Sequence, residues 1–205
     1  MNRQNSGKVF SFELDLKLGY GYCLLIDHSD RFPFDGRIIY VYNFFKKRPD
    51  EHPEISLIEN SGFLFGPTPV NRLPFIRGRN AWKYIGKTRK FSDKLPIFKF
   101  TRDIIALYTS IDWSTVDGWY QKIDFNEIGK SMNYDELREL EAPFLYSLSD
   151  LVTRATIQFL LIKGEQVDDF FDLSKKEYRS IYIQILNTSI GKKKADHLLK
   201  QLIKK

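Results

Sequence analysis

Few side chains in this sequence have the type and spacing that chemistry requires, and they are scattered. Three histidines are present, His28 in a turn-like stretch, His52 beside a proline and His197 in a lysine-rich segment. A zinc site gathers three or four ligands at short spacings, and none of these histidines has a second histidine or cysteine at such a distance. Cys23 is the single cysteine. It lies between Tyr22 and Leu24-Leu25 in an apolar run, where a thiol is buried and inert rather than an activated nucleophile. Asp27-His28-Ser29-Asp30 gathers polar groups, but an Asp-rich turn accounts for it. Gly19-Tyr20-Gly21-Tyr22 is followed by no helix whose N-terminus would hold a phosphate, so its glycines read as a turn and a bulge. The G-x-S-x-G, H-E-x-x-H and G-x-x-x-x-G-K patterns are absent. The chain therefore reads as a non-enzyme without cofactor or metal, in which Cys23 and the histidines are dispensable.

Charge is the second chemical signal. The formal net charge is +6, a mild basic excess unevenly distributed. The segment Arg72–Arg102 carries Arg77, Arg79, Lys83 and Lys87 among Trp82, Tyr84, Phe98 and Phe100, with Asp93 as its sole acid. Cations interleaved with aromatics suit a phosphate backbone with stacked bases. Half-exposed strands with aromatic inner faces and basic outer faces show the same alternation. The sign reverses over Asp112–Glu141 and again over Glu165–Asp172. Blocks of alternating sign argue against one continuous phosphate-tracking groove. They suit docking of another protein through complementary patches, for which Glu136, Glu139, Asp168 and Asp169 are the candidate contacts. Solvated faces carry charge blocks too. Trp113 and Trp119 read as core or hinge packing rather than as a recognition platform.

The elements that must position these groups follow from periodicity. With 205 residues the chain is long enough to build a core without disulfides or metal. Its aromatic fraction of 15% favours sheet over helical bundle. Phe10, Phe12, Leu14 and Leu16 alternate with polar residues, and Tyr20–Ile26 resumes after Gly19, which predicts a hairpin. Ile38–Phe45 reads as an interior strand. Ile55–Ile58, Phe63–Phe65, Trp82–Ile85 and Ile97–Thr101 read as short strands, and the prolines of Gly66-Pro67-Thr68-Pro69 should end any ladder. Phe10, Phe12, Leu14, Tyr22, Leu24 and Trp82 are the predicted core. After about residue 130 the period becomes helical. Asn133 caps a short helix, and Ser147 or Ser149 the next, with Leu148, Leu151, Val152, Ala155, Phe159 and Ile162 inward and Gly164 as its stop. Ser174-Lys175-Lys176-Glu177 reads as a capping box. A last helix after Gly191 puts Leu198, Leu199, Leu202 and Ile203 inward. The expected class is α+β, an N-terminal bent antiparallel sheet or partial small β-barrel over 1–130, followed by C-terminal helices over 131–205 packed on it as one unit. No signal segment and no membrane-length apolar run is seen, so a cytoplasmic protein is expected.

Several short motifs, taken in order, resemble a known family. Val9-Phe10-Ser11-Phe12-Glu13-Leu14 followed by Gly19-Tyr20-Gly21-Tyr22-Cys23 resembles the opening hairpin of the immunity protein 26 family of bacterial polymorphic toxin systems. Tyr40-Val41-Tyr42-Asn43-Phe44-Phe45 is similar to its next strand. Asn80-Ala81-Trp82-Lys83-Tyr84-Ile85-Gly86-Lys87, then Leu95-Pro96-Ile97-Phe98, resembles its tryptophan–isoleucine–glycine strand and later proline–phenylalanine pair. Leu140-Glu141-Ala142-Pro143-Phe144 leading into Asp150–Leu160 resembles its C-terminal segment. The likeness covers roughly residues 7 to 162. Lys17-Leu18 and Glu13 depart from the family pattern, and the two helices after Gly164 have no counterpart. The resemblance implies neutralisation of a co-encoded protein toxin by direct binding, and it carries over no site residue. The alternative from the residues themselves is a nucleic-acid-binding small β-barrel using Arg77, Arg79, Lys83 and Lys87.

Overall fold

The computed structural model describes residues 6–27, 36–48, 53–74, 77, 81–88, 99–101, 111–115, 118–123, 127–138, 140–142 and 144–204. Within it the chain divides into two units, one formed by 1–97 with 144–156 and the other by 98–143 with 157–205.

In the first unit, the alternating N-terminal residues become β1 (Lys8–Glu13) and β2 (Tyr20–Asp27), paired antiparallel with Phe12 opposite Gly21. They are joined by β3 (Arg37–Lys46), β4 (Phe63–Pro69) and β5 (Lys83–Lys87) in an antiparallel sheet of order β4-β3-β2-β1-β5. The order is open, with β4 and β5 as edges. Register shifts at Val9/Phe10, Gly21/Cys23 and Ile39/Val41 insert bulges, and bulges bend and twist a sheet. Phe10, Phe12, Leu14, Tyr22, Leu24 and Trp82 are all buried, as expected. Phe12 stacks on Trp82 with ring centroids 4.8 Å apart. A Cβ on Gly21 would lie 2.8 Å from the Phe12 ring, so the ring occupies the space that the glycine leaves.

Two local expectations fail here for physical reasons. Ile55–Ile58 is not a strand but the start of a helix, α1 (Ile55–Asn60). Ile58 is fully buried while Leu57 is 55% exposed, so the apolar residues follow a spacing of three rather than two. The prolines of Gly66–Pro69 do not end the ladder either, since Thr68 pairs with Ile39 and Pro69 with Ile38. β4 is an edge strand, where a missing N–H costs no ladder bond. The Pro69 carbonyl accepts the Tyr146 N–H at 2.9 Å.

The hairpin tip is tied to α3 (Leu148–Lys163). The Asp15 N–H donates to Thr156 Oγ1 at 2.9 Å, and the Thr153 hydroxyl donates to Asp15 Oδ2 at 2.7 Å. Arg154, 1% exposed, lies with its guanidinium 4.2 Å from the Phe65 ring centroid and 5.5 Å from that of Tyr146. The tip itself is strained, with Leu16 and Lys17 both left-handed at φ 60 and 56.

The second unit has its own sheet, β6 (Lys99–Thr101), β7 (Tyr120–Ile123) and β8 (Glu127–Ser131), in that order and antiparallel. Strands β7 and β8 were not expected, because Tyr120–Ile123 and Glu127–Ser131 are short and carry no apolar alternation. The helices are α2 (Tyr134–Leu137), the rest of α3, α4 (Lys176–Thr188) and α5 (Lys192–Ile203). Asn133 caps α2, the Ser147 hydroxyl accepts the Asp150 N–H at the start of α3, and α3 stops at Gly164, as predicted. The expected capping box at Ser174 is absent. Its N–H and hydroxyl both bond Asp172 Oδ1, at 3.0 and 2.6 Å, in an Asx-type turn, and Lys175 is the N-cap of α4. Ile162 and Ile203, expected inward, are 53% and 59% exposed, each lying in a final helical turn. Trp113 and Trp119 are core residues with ring centroids 6.3 Å apart. No helix among the described residues is long and apolar enough to cross a membrane.

Two outcomes follow for the hairpin. Gly19 has φ +129, and a Cβ there would meet the Lys46 carbonyl oxygen at 2.5 Å. Gly19→Ala should therefore lower stability by about 2–3 kcal/mol, read as the shift of a urea midpoint. Burial raises the Asp15 carboxyl above its ordinary 3.8, opposed by the Thr153 hydrogen bond. An acid whose folded pKa is raised binds its proton more tightly when folded, so ionisation removes stability as pH climbs from 3.8 through the folded value. Asp15→Asn keeps an acceptor for Thr153 and should gain on the wild type as pH rises through that window. Urea unfolding from acid to neutral pH checks the sign.

Candidate functional site

Buried Asn187 organises the part of the second unit where the acidic candidates fall. It stands on the inner face of α4 at 0% exposure. Its Nδ2 donates to the carbonyls of Ile111 and Ile183 at 3.0 and 2.8 Å. Its Oδ1 accepts the Trp113 N–H at 3.2 Å and the Tyr134 hydroxyl at 2.8 Å. Both donors and both lone pairs of the amide are thereby used. Arg138, at the C-cap of α2, donates to the Leu186 carbonyl at 2.8 Å and lies 3.8 Å from Asp196 Oδ1. These bonds fix α2 and the Trp113–Thr115 turn against α4.

The result is an open cleft of about 460 Å³ lined by Ser114, Asn133, Tyr134, Asp135, Glu136 and Lys192. The capping box holds Glu136: its N–H donates to Asn133 Oδ1 at 2.9 Å, and its carboxylate accepts the Asn133 N–H at 3.3 Å. Ser114 is held by Asp112 Oδ1, which accepts its N–H at 3.0 Å and its hydroxyl at 2.6 Å. Burial raises the Tyr134 phenol well above its ordinary value, so it stays a hydrogen-bond donor. Lys192 Nζ lies 2.8 Å from each oxygen of Asp135.

A second cleft, about 320 Å³, is lined by Gln166, Asp168, Leu173, Tyr182, Leu198, Gln201, Leu202 and Lys204. Asp168 reaches it from the short 3-10 turn Val167–Asp169, whose Val167 is buried as the anchor. Asp169 is exposed and outside the lining. Asp172, a little further on, has its carboxyl held below the ordinary range by the Ser174 hydroxyl and N–H.

The structure thus places Glu136 and Asp168 in separate clefts. Lys192 and Gln201 are two and a half turns apart on α5, which puts them on opposite flanks and roughly 14 Å apart along the axis. Glu139 lies outside the described residues. Of the basic candidates, Arg77, Lys83 and Lys87 are exposed in the first unit, the lysines on edge strand β5 with Tyr84 between them, and Arg79 lies outside the described residues. His28 and His52 also lie outside them. His197 is exposed on α5, 3.1 Å from the Gln201 amide nitrogen. Cys23 is fully buried, and burial pushes its thiol well up, so it is not a thiolate. Among the described residues no group of three or more His, Cys, Asp or Glu is arranged to hold a metal.

Sequence reasoning missed Asn187, Tyr134, Lys192 and Tyr182. Asn187 left a trace, a polar residue next to the apolar stripe of α4. Lys192 left none, because nothing local distinguishes it from its neighbours Lys193 and Lys194. Comparison with protein-family models, curated proteins and solved structures finds no match to this chain.

Removing the Asn187 amide takes a hydrogen bond from the buried Trp113 N–H and from the half-buried Ile111 carbonyl. Asn187→Leu should cost about 2–4 kcal/mol in a urea titration and shift the intrinsic fluorescence of Trp113 and Trp119.

Proposed function

We propose that this chain is an immunity-type protein of a bacterial polymorphic toxin system. It acts in the cytoplasm, without catalysis, by binding a cognate protein toxin. The observation that carries the surface assignment is the ammonium of Lys192 held by both oxygens of Asp135 in the cleft that Glu136 borders. The two side chains are 59% and 61% exposed, so the pair is a surface one, worth about 0–1 kcal/mol. An arginine or lysine from a basic partner can take the place of Lys192 at little cost, and a guanidinium adds a second parallel hydrogen bond. Asp168 with Asp169 offers a second acidic contact. The class of function rests on the ordered motifs over residues 7 to 162, to which the comparisons add nothing.

A second reading, nucleic-acid binding by the first unit, is favoured by one observation. Tyr84 is 50% exposed between the exposed lysines Lys83 and Lys87, as a stacking platform beside phosphate contacts would be.

Two sets of variants separate these readings. Asp135→Asn with Glu136→Gln keeps the α2 cap, and with Asp168→Asn and Asp169→Asn it should abolish protection of cells expressing the co-encoded toxin. Arg77→Glu, Lys83→Glu and Lys87→Glu together should spare protection. Tight oligonucleotide binding by the wild type at physiological salt, lost in the basic reversal, would overturn the immunity reading.

A further inference from the structure

We infer that the tip of the β1–β2 hairpin, Asp15–Lys17, is a preformed contact for the protein partner, from which Leu16 enters an apolar pocket and Lys17 meets a carboxylate at its rim. That the partner is the toxin rests on the binding reading above; that the tip is built to present Leu16 does not.

Three features of the tip work against stability, and all three serve display. Leu16 and Lys17 are both left-handed, at φ 60 and 56, a conformation that glycine or asparagine adopts with less strain. Backbone held there persists only where its surroundings enforce it, and such places concentrate at ligand clamps and other functional contacts. Leu16 follows Phe10, Phe12 and Leu14 at every second residue, yet Leu14 is 2% exposed and Leu16 is 54% exposed. The turn thus leaves in water a side chain whose three predecessors are buried. Asp15 is half-buried, and burial raises its carboxyl above 3.8, so keeping it ionised there costs stability. Its carboxylate and N–H nevertheless tie the tip to Thr153 and Thr156 of α3. A contact fixed in advance loses little freedom on binding, and these ties supply that fixity. One leucine is far less apolar surface than the single acyl chain that holds a protein to a bilayer only marginally, so the tip suits a shaped protein pocket rather than a membrane. Lys17 is exposed and makes no hydrogen bond or ion pair among the described residues, which leaves its ammonium for a partner's carboxylate.

Urea unfolding of the full chain reads the strain, and titration calorimetry with the purified co-encoded toxin reads the contact. Leu16→Gly should make unfolding roughly fivefold less favourable, because glycine relieves the left-handed strain by more than it adds in freedom of the unfolded chain. Leu16→Asn, also at ease in that conformation, should keep the fold and weaken the toxin complex roughly tenfold, the factor expected from burying the exposed half of one leucine. Leu16→Met keeps an apolar side chain of similar volume and should stay within about threefold of the wild type. A Leu16→Gly chain no more stable than the wild type, or a Leu16→Asn chain that binds the toxin as tightly, overturns the proposal. Asp135→Asn with Glu136→Gln is read in the same titration. Weakening there with none in Leu16→Asn removes the tip and leaves the immunity reading, whereas no binding by the wild type removes both.

Discussion

A single buried amide sets the geometry of the acidic cleft. Asn187 is the point at which α4, the Trp113–Thr115 turn and α2 are held in one arrangement, because its side chain bonds a group from each. An unmet buried donor or acceptor costs about 1–3 kcal/mol, so the arrangement is defined more by what leaving it would cost than by what each bond adds. Everything the cleft presents follows from it. Tyr134 is fixed by its hydroxyl, the adjacent Asp135 and Glu136 are thereby aimed, and the capping box then locks Glu136 to Asn133. The exposed carboxylates are thus mounted, through half-buried Tyr134, on the buried amide of Asn187.

The first unit applies the same logic with different chemistry. Its sheet is continuous through β1 to β3, and the strained tip between β1 and β2 has to be held. Two threonines on one side of α3 do this, Thr153 through the Asp15 carboxylate and Thr156 through the Asp15 N–H. Arg154, between them in sequence, spreads its guanidinium over Phe65 and Tyr146. A flat cation accepts aromatic faces on a buried surface where an ammonium would not. The middle of α3 is therefore polar by sequence and buried in the structure.

That polarity is why the sequence is a good guide to some elements and a poor one to others. The hairpin, the interior strand β3 and the Asn133 cap were legible because each is specified within a few residues, by alternation or by a side chain bonding its own neighbours. The strand-like reading of Ile55–Ile58 failed because four residues cannot distinguish a period of two from one of three. The Ser174 box failed because Asp172 competes for the same serine N–H and hydroxyl, and a turn closes where a cap was expected. Strands β7 and β8 escaped notice because their partners are each other and the distant β6, not a visible apolar stripe. The candidate carboxylates were found from charge alone. Their grouping was not, since Lys192 meets Asp135 across 57 residues of sequence, and Tyr182 meets Asp168 only through a shared cleft.

The two clefts divide the work of binding between them on the proposed reading. They flank α5 on opposite sides, share no lining residue, and differ in kind. The first exchanges one solvated cation for another, a contact that contributes little net affinity but draws a basic surface in and orients it. The second is walled by Leu173, Leu198 and Leu202, with Asp168 and Lys204 in the same lining. Charge at Asp135 and Glu136 should accordingly govern association and its salt dependence. Sites that share no side chain add nearly independently, so neither cleft needs the other to be formed first. On the proposed reading, a partner would meet carboxylates positioned by a buried, fully bonded amide, and α5 sets the spacing between the two clefts.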